Sequence, residues 1–204
     1  MELFKEKSLR AYKRIEDLLM EYNVPHRDVC LKILEDNRKL FETAPGSSHN
    51  HQAWPGGYID HVHEVMNFAV VLYSAIKSTG RPMSFTLGQV LLVLFLHDLE
   101  KPWAYYLDVD GSLTRNPNIL TKKDRQIFRD TKLIEYGIEL TEKEGNAFRY
   151  VEGELSDYSP ERRVMNEMAA ICHACDNISA RGFWDYPKAE NDPWSGAQRF
   201  RTKQ

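Results

Sequence analysis

The stretch LGQVLLVLFLHDLEKP, Leu87 to Pro102, decides how the rest of the chain is read. From Leu87 to Leu96 its only polar side chain is Gln89. That is too unbroken an apolar run for a surface helix, so the spacing predicts a helix buried on all sides. Thr86 with Gln89 three residues later has the form of a capping box, which sets the helix start. The apolar run from Val90 to Leu96 falls far short of the roughly 20 residues that a membrane span requires. His97 and Asp98 then end the helix. An imidazole and a carboxylate at the end of an apolar helix need a partner, and a cation accepts both while offsetting the desolvation of the carboxylate.

On the N-terminal side, Leu9, Tyr12, Ile15, Leu19 and Tyr22 mark an amphipathic helix that Asn23 to Pro25 ends. A second helix is expected from about Pro25 to Phe41, closed by Ala44-Pro45-Gly46. After Pro55-Gly56-Gly57, a stripe of Ile59, Val62, Met66, Ala69, Val70, Tyr73 and Ile76 predicts a long helix that stops at Gly80-Arg81-Pro82. On the C-terminal side, Trp103 to Leu113 carries aromatic and β-branched residues around Asp110-Gly111, the pattern of a small hairpin. Helical periodicity resumes from Thr121 to Tyr136 with Gly137 as C-cap, and an irregular region with room for strand fragments extends through Tyr158. Ser159-Pro160 reads as the start of a last helix, with Met165, Met168, Cys172 and Cys175 inward, ending at Gly182. The tail, with Trp184, Tyr186, Pro187, Pro193 and Trp194, reads as an extended segment on the body. The expected class is all-α, one domain over residues 1–204.

The chain has 204 residues, 42% hydrophobic and 28% charged, enough to bury a core. Its formal net charge of -3 and pI near 6.2 argue against a dedicated duplex binder, which needs a basic face to displace counterions. The N-terminus lacks the apolar core of a signal peptide, and three cysteines make no disulfide framework, so the expected compartment is the cytoplasm with no membrane partner. Cys172 and Cys175 form a lone C-x-x-C with no second pair to complete a structural zinc site, and are expected to be buried apolar thiols.

Two further residues complete a ligand set for a cation at His97 and Asp98. Asp176, on another helix, adds a second carboxylate, and His61, near the start of the long helix, adds a second imidazole. Two histidines and two aspartates leave positions for water and a phosphate oxygen on a six-coordinate ion. Mixed nitrogen and oxygen donors suit manganese, iron, cobalt, nickel or zinc better than calcium; magnesium is kept among the candidates for one divalent ion. His63 points elsewhere on the helix, and His49 and His26 have weaker claims.

Gly56 to His61, then Leu96-His97-Asp98, then Asp176 resembles the ordered H…HD…D signature of HD-domain metal-dependent phosphohydrolases. The chain looks most similar to the branch containing bacterial 3′-to-5′ exoribonuclease-type HD domains, in the stretches from His51 to Gly57, His97 to Pro102 and His173 to Arg181. The resemblance covers about residues 45–181, with the N-terminal helices and the extended C-terminal tail packed on it, and it includes a hairpin after the HD motif. It implies an HD helical bundle and a metal-activated water that attacks phosphorus in a phosphate ester or anhydride.

In that reading Lys101 neutralises charge on the phosphate oxygens. Glu100, where the branch commonly has glycine, positions the water or acts as acid or base, or else is a solvated helix-end residue. His51 corresponds to a histidine of the branch and contacts substrate phosphate or donates a proton; the plainer alternative is an exposed loop histidine. His173, three residues before Asp176, orients that carboxylate, contacts substrate, or is a satisfied core histidine. Relatives with two metals carry extra histidines between the second and last ligands. This chain has none between Asp98 and His173, which favours a mononuclear site.

The expected substrate is a small phosphorylated molecule, a nucleotide foremost. A 3′-to-5′ exoribonuclease or RNA-end phosphoesterase is the alternative enzyme, with nucleic acid a less favoured partner. A non-catalytic nucleotide-sensing or partner-binding HD module is the alternative outside enzymology, and a homo-oligomer is compatible with any of these. Asp108 to Thr114 also looks like the nucleophile motif of haloacid-dehalogenase-type phosphatases, but that fold needs alternating strands and helices that the chain does not display.

Overall fold

The computed structural model describes residues 12–48, 51–109 and 112–182. Within them the protein is largely α-helical with one small antiparallel hairpin, as expected. Helix α1 spans Ile15–Glu21, α2 Arg27–Asp36, α3 Arg38–Phe41, α4 Gly57–Ser78, α5 Leu87–Leu96 and α6 Lys101–Ala104. Strands β1 (Tyr105–Leu107) and β2 (Leu113–Arg115) follow, then α7 Lys122–Tyr136, α8 Glu142–Tyr150 and α9 Glu167–Gly182.

Helix α5 is the axis of the core. Its residues from Val90 to Leu96 are all buried, and it packs against α1, α4, α8 and α9. Its start is the capping box read from sequence: the Thr86 hydroxyl accepts from the Gln89 amide at 3.2 Å while the Gln89 side chain accepts from the Thr86 amide at 3.0 Å. Helix α4 lies along α5 and α9, and burying these apolar faces against one another supplies most of the drive to fold. None of the described helices is long and apolar enough to cross a membrane.

Four local expectations are corrected. The helix expected from Pro25 to Phe41 is broken at Asn37, whose side-chain amide donates to the Ile33 carbonyl at 2.9 Å and so competes with the backbone ladder. Within the region expected to be irregular, α8 forms behind a capping box in which Thr141 accepts from Glu144; no strand fragment occurs there. The last helix begins at Glu167 rather than at Ser159-Pro160, because Asn166 is the residue whose side chain accepts from the Ala169 amide, at 2.8 Å. Met165 therefore precedes the helix, while Met168, Cys172 and Cys175 are buried along it. The hairpin pairs Tyr105 with Arg115 and Tyr106 with Thr114, and α7 ends at Gly137 with φ 68°, both as read. The Asp110-Gly111 turn, the start of the first helix at Leu9 and the extended tail lie outside the described residues.

Candidate metal centre

Three helices bring the chemistry together. Helix α4 carries His61 one turn from its start, and Gly57 makes that start possible. A Cβ there would fall 1.8 Å from the Gln52 carbonyl oxygen, so only glycine lets the loop through Gln52 close against the helix. The loop is tied by Gly46 N–H to Gln52 O at 2.9 Å and by Tyr58 N–H to Ala44 O at 3.0 Å. Helix α5 ends on His97 and Asp98, and α9 presents Asp176.

Of the four side chains predicted as ligands, His61, His97 and Asp176 meet, and Asp98 stands against both imidazoles. His61 Nε2 and His97 Nε2 lie 3.3 Å apart. Asp98 Oδ2 is 3.4 Å from His61 Nε2 and 3.2 Å from His97 Nε2; Asp176 Oδ1 is 3.2 Å and 3.7 Å from the same two atoms. Donors bonded at about 2.1 Å and set at right angles around one ion would stand about 3 Å apart, so the spacing of His61, His97 and Asp176 fits a shared cation. Among the described residues, His61, His97 and Asp176 are the group whose ligand atoms all lie within 4.8 Å of one another.

The donor chemistry fits as well. His97 Nδ1 faces the Leu94 carbonyl at 2.7 Å, and a carbonyl only accepts, so Nδ1 carries the hydrogen and Nε2 offers its lone pair to the centre. Both carboxylates likewise offer lone pairs. Asp98 Oδ2 is buried without a hydrogen bond of good geometry, although Lys101 Nζ lies 2.5 Å away as an ion pair. Acceptors converging in a buried place repel unless something positive sits among them. Without a metal, a proton takes that part: burial pushes the His97 imidazolium down, but the negative charges of Asp98 and Asp176 outweigh burial and hold it up at about 10. Burial pushes both carboxyls up, and the adjoining imidazoles, with Lys101 beside Asp98, more than reverse this, leaving both well below the usual carboxylate range.

His61 and His97 are fully enclosed, whereas the Asp176 side chain is 16% exposed and that of Lys101 11%. His51 stands with its ring centroid 5.0 Å from that of His61 and is only half-buried, with a buried Nε2 that has no hydrogen-bond partner. Burial, then the charges of Lys101 and His61, hold its imidazole neutral with a pKa of about 2. Asp176, Lys101 and His51 thus give the centre its route to solvent.

Glu100 is 1% exposed, so it is not a solvated helix-end residue. Neither of its oxygens accepts a hydrogen bond, Arg129 Nε lies 3.7 Å from Oε2, and burial followed by the charge of Asp98 pushes the carboxyl up to about 7. Arg129, from α7, also donates to the His97 carbonyl and lies over the Phe148 ring. His173 places Nδ1 2.7 Å from the Val151 carbonyl, with its ring close to Gly153, tying α9 to the segment after α8. His63 contacts the Lys13 carbonyl and is no part of the cluster. Cys172 and Cys175 are buried free thiols that belong to no such cluster among the described residues. Asp108 sits in the hairpin, accepting from Thr114 at 2.9 Å, and the only sheet among the described residues is the two-stranded one.

A set of buried residues around His61 lay beyond the sequence reading: Ser179, Glu64 and Gln52. Glu64 follows His61 by three residues and Ser179 follows Asp176 by three, so each is one helical turn from a candidate ligand. That spacing was the available signal. Comparison of the chain with protein-family models, with curated proteins and with solved structures finds no match.

Proposed function

We propose that the protein is an HD-type metal-dependent phosphohydrolase acting on a small phosphorylated substrate, foremost a nucleotide, with the whole of residues 1–204 serving one domain. The observation that carries this reading is the meeting of His61 Nε2, His97 Nε2, Asp98 Oδ2 and Asp176 Oδ1 within 3.2–3.7 Å of one another across the four histidine–carboxylate pairs, beside a buried lysine. A divalent ion held there supplies a Lewis acid for a phosphate oxygen and a water of lowered pKa.

The chain's own residues supply the rest. Lys101 carries a fixed positive charge, since Asp98 and Asp176 overcome the burial that would otherwise discharge it, and it stands where phosphate charge needs neutralising. His51, held neutral and with a buried Nε2 that lacks a partner, is placed to accept a hydrogen bond beside the centre. The enclosure of both histidines keeps bulk water from competing for the ligand set. Glu100, sealed behind Arg129, serves the His97–Asp98 turn rather than the substrate, and His173 serves the α8–α9 contact.

Metal analysis of the purified chain, with turnover on nucleotides, 2′,3′-cyclic phosphates and short RNAs in added manganese, tests the proposal. One ion per chain and hydrolysis of a small nucleotide are expected, both lost in Asp98→Ala. Preferred cleavage of RNA would move the assignment to the exoribonuclease alternative. Metal retained with no turnover on any substrate would sink the enzyme reading in favour of a sensing or partner-binding module.

A further inference from the structure

The candidate centre stands on a second layer of hydrogen bonds whose direction can be worked out atom by atom. His61 Nδ1 lies 3.0 Å from Ser179 Oγ. Ser179 Oγ lies 2.5 Å from Glu64 Oε2, and Gln52 Nε2 lies 3.1 Å from that same carboxylate oxygen and 3.2 Å from Ser179 Oγ. Gln52, Glu64, His61 and Ser179 are all essentially without solvent exposure, so no bulk water stands in for a missing partner.

A carboxylate accepts and cannot donate, so the single hydroxyl hydrogen of Ser179 is committed to Glu64. The Gln52 amide must turn its NH2 toward the carboxylate, since its carbonyl oxygen there would oppose an anion. That NH2 also donates to Ser179 Oγ. The serine oxygen has then spent its hydrogen and one lone pair, and what remains to face His61 is a lone pair. The hydrogen between them therefore belongs to His61 Nδ1.

We infer that Ser179 and Glu64 are positioning residues that set the tautomer of His61, with Gln52 holding their orientation. With the hydrogen held on Nδ1, Nε2 is left with its lone pair toward His97, Asp98 and Asp176. The Leu94 carbonyl does the same for His97, so both imidazoles are set as donors to a cation by different acceptors, one a backbone carbonyl and the other a serine backed by a buried carboxylate. The relay also joins α4 to α9, because Glu64 and His61 come from one and Ser179 and Asp176 from the other. This inference rests on the metal reading for its purpose but not for its geometry.

Nitrogen NMR of the histidine side chains in the metal-free wild-type chain reads the tautomer directly. A protonated Nδ1 on His61 is expected, and a bare Nδ1 overturns the proposal whatever the variants do. Zinc titration then measures the consequence. Glu64→Gln can donate to Ser179 and frees the serine hydrogen to point at His61, so it should weaken zinc binding by about 10- to 100-fold at unchanged secondary structure, as should Ser179→Ala. Ser179→Thr, which keeps the hydroxyl, should restore affinity to within a few-fold of wild type. Zinc affinity unaltered in folded Glu64→Gln and Ser179→Ala would also overturn it. Failure of wild type to take up zinc would instead overturn the metal reading, while the nitrogen spectrum would still decide the tautomer.

Discussion

Lys101 Nζ lies 2.5 Å from Asp98 Oδ2, three residues away along the α5–α6 turn, and both side chains are almost sealed from solvent. In the proposed centre a lysine so placed would compete with a cation for the same carboxylate oxygen, which would set its two proposed roles against each other.

Lys101→Met keeps the buried stem and removes the charge. Zinc binding is expected to hold or tighten, because Asp98 loses its competitor. Turnover on the best phosphate substrate should fall by about 10²–10³-fold, the usual cost of removing a donor aimed at developing charge. Calorimetric titration with zinc and steady-state kinetics check the two arms; weaker zinc binding would mean that the lysine holds Asp98 in place instead.

Among the described residues, Arg129 is the cation that another helix brings to buried Glu100, and it also donates to the His97 carbonyl. Arg129→Met leaves the acid alone in the core and should cost about 3 kcal/mol in urea unfolding. Glu100→Gln, neutral and of the same shape, should return at least about 1 kcal/mol of that in the double variant. Strictly additive losses would refute the coupling.

Two glycines separate packing from propensity. Gly57→Ala would drive a methyl into the Gln52 carbonyl and should destabilise by about 3 kcal/mol while weakening zinc binding through His61. At Gly145, within α8, a methyl would meet nothing within 4 Å, so Gly145→Ala should stabilise by about 0.5–1 kcal/mol. Denaturant midpoints of the two variants should move in opposite directions.

Burial pushes the Cys30 thiol up to about 12 from an ordinary value of 9.0. Between these values the folded chain holds a proton that the unfolded chain has released, so stability is intact below about pH 9 and declines as pH rises toward 12. Urea midpoints measured across that range should fall less steeply in Cys30→Ala than in wild type. Parallel curves would show that Cys30 has no part in alkaline unfolding.

The central helix and its polar ending were legible because α5 is apolar on every side, a pattern that leaves His97 and Asp98 conspicuous. Helix α8 was not, since Gly145 and Asn146 lower its intrinsic preference and its support comes from burying Ala147, Phe148 and Tyr150. The late start of α9 reflects a cap competition that Asn166 wins over Ser159. The clustering of His61, His97 and Asp176 was legible from residue type and order, whereas the burial of Glu100 against Arg129 depended on a helix crossing that periodicity does not encode. The Ser179–Glu64 link was hidden for a related reason: serine and glutamate are ordinary helix residues until α4 and α9 are seen face to face.

His61 and Asp176 are 115 positions apart in the chain. During synthesis the first three of the proposed donors therefore emerge long before the fourth, and a partly made chain would have no complete cage for an ion. Loading with metal would then report that the helix bearing Asp176 has docked, and any catalytic power would switch on only at that moment, sparing the surrounding phosphate pool from a half-built enzyme.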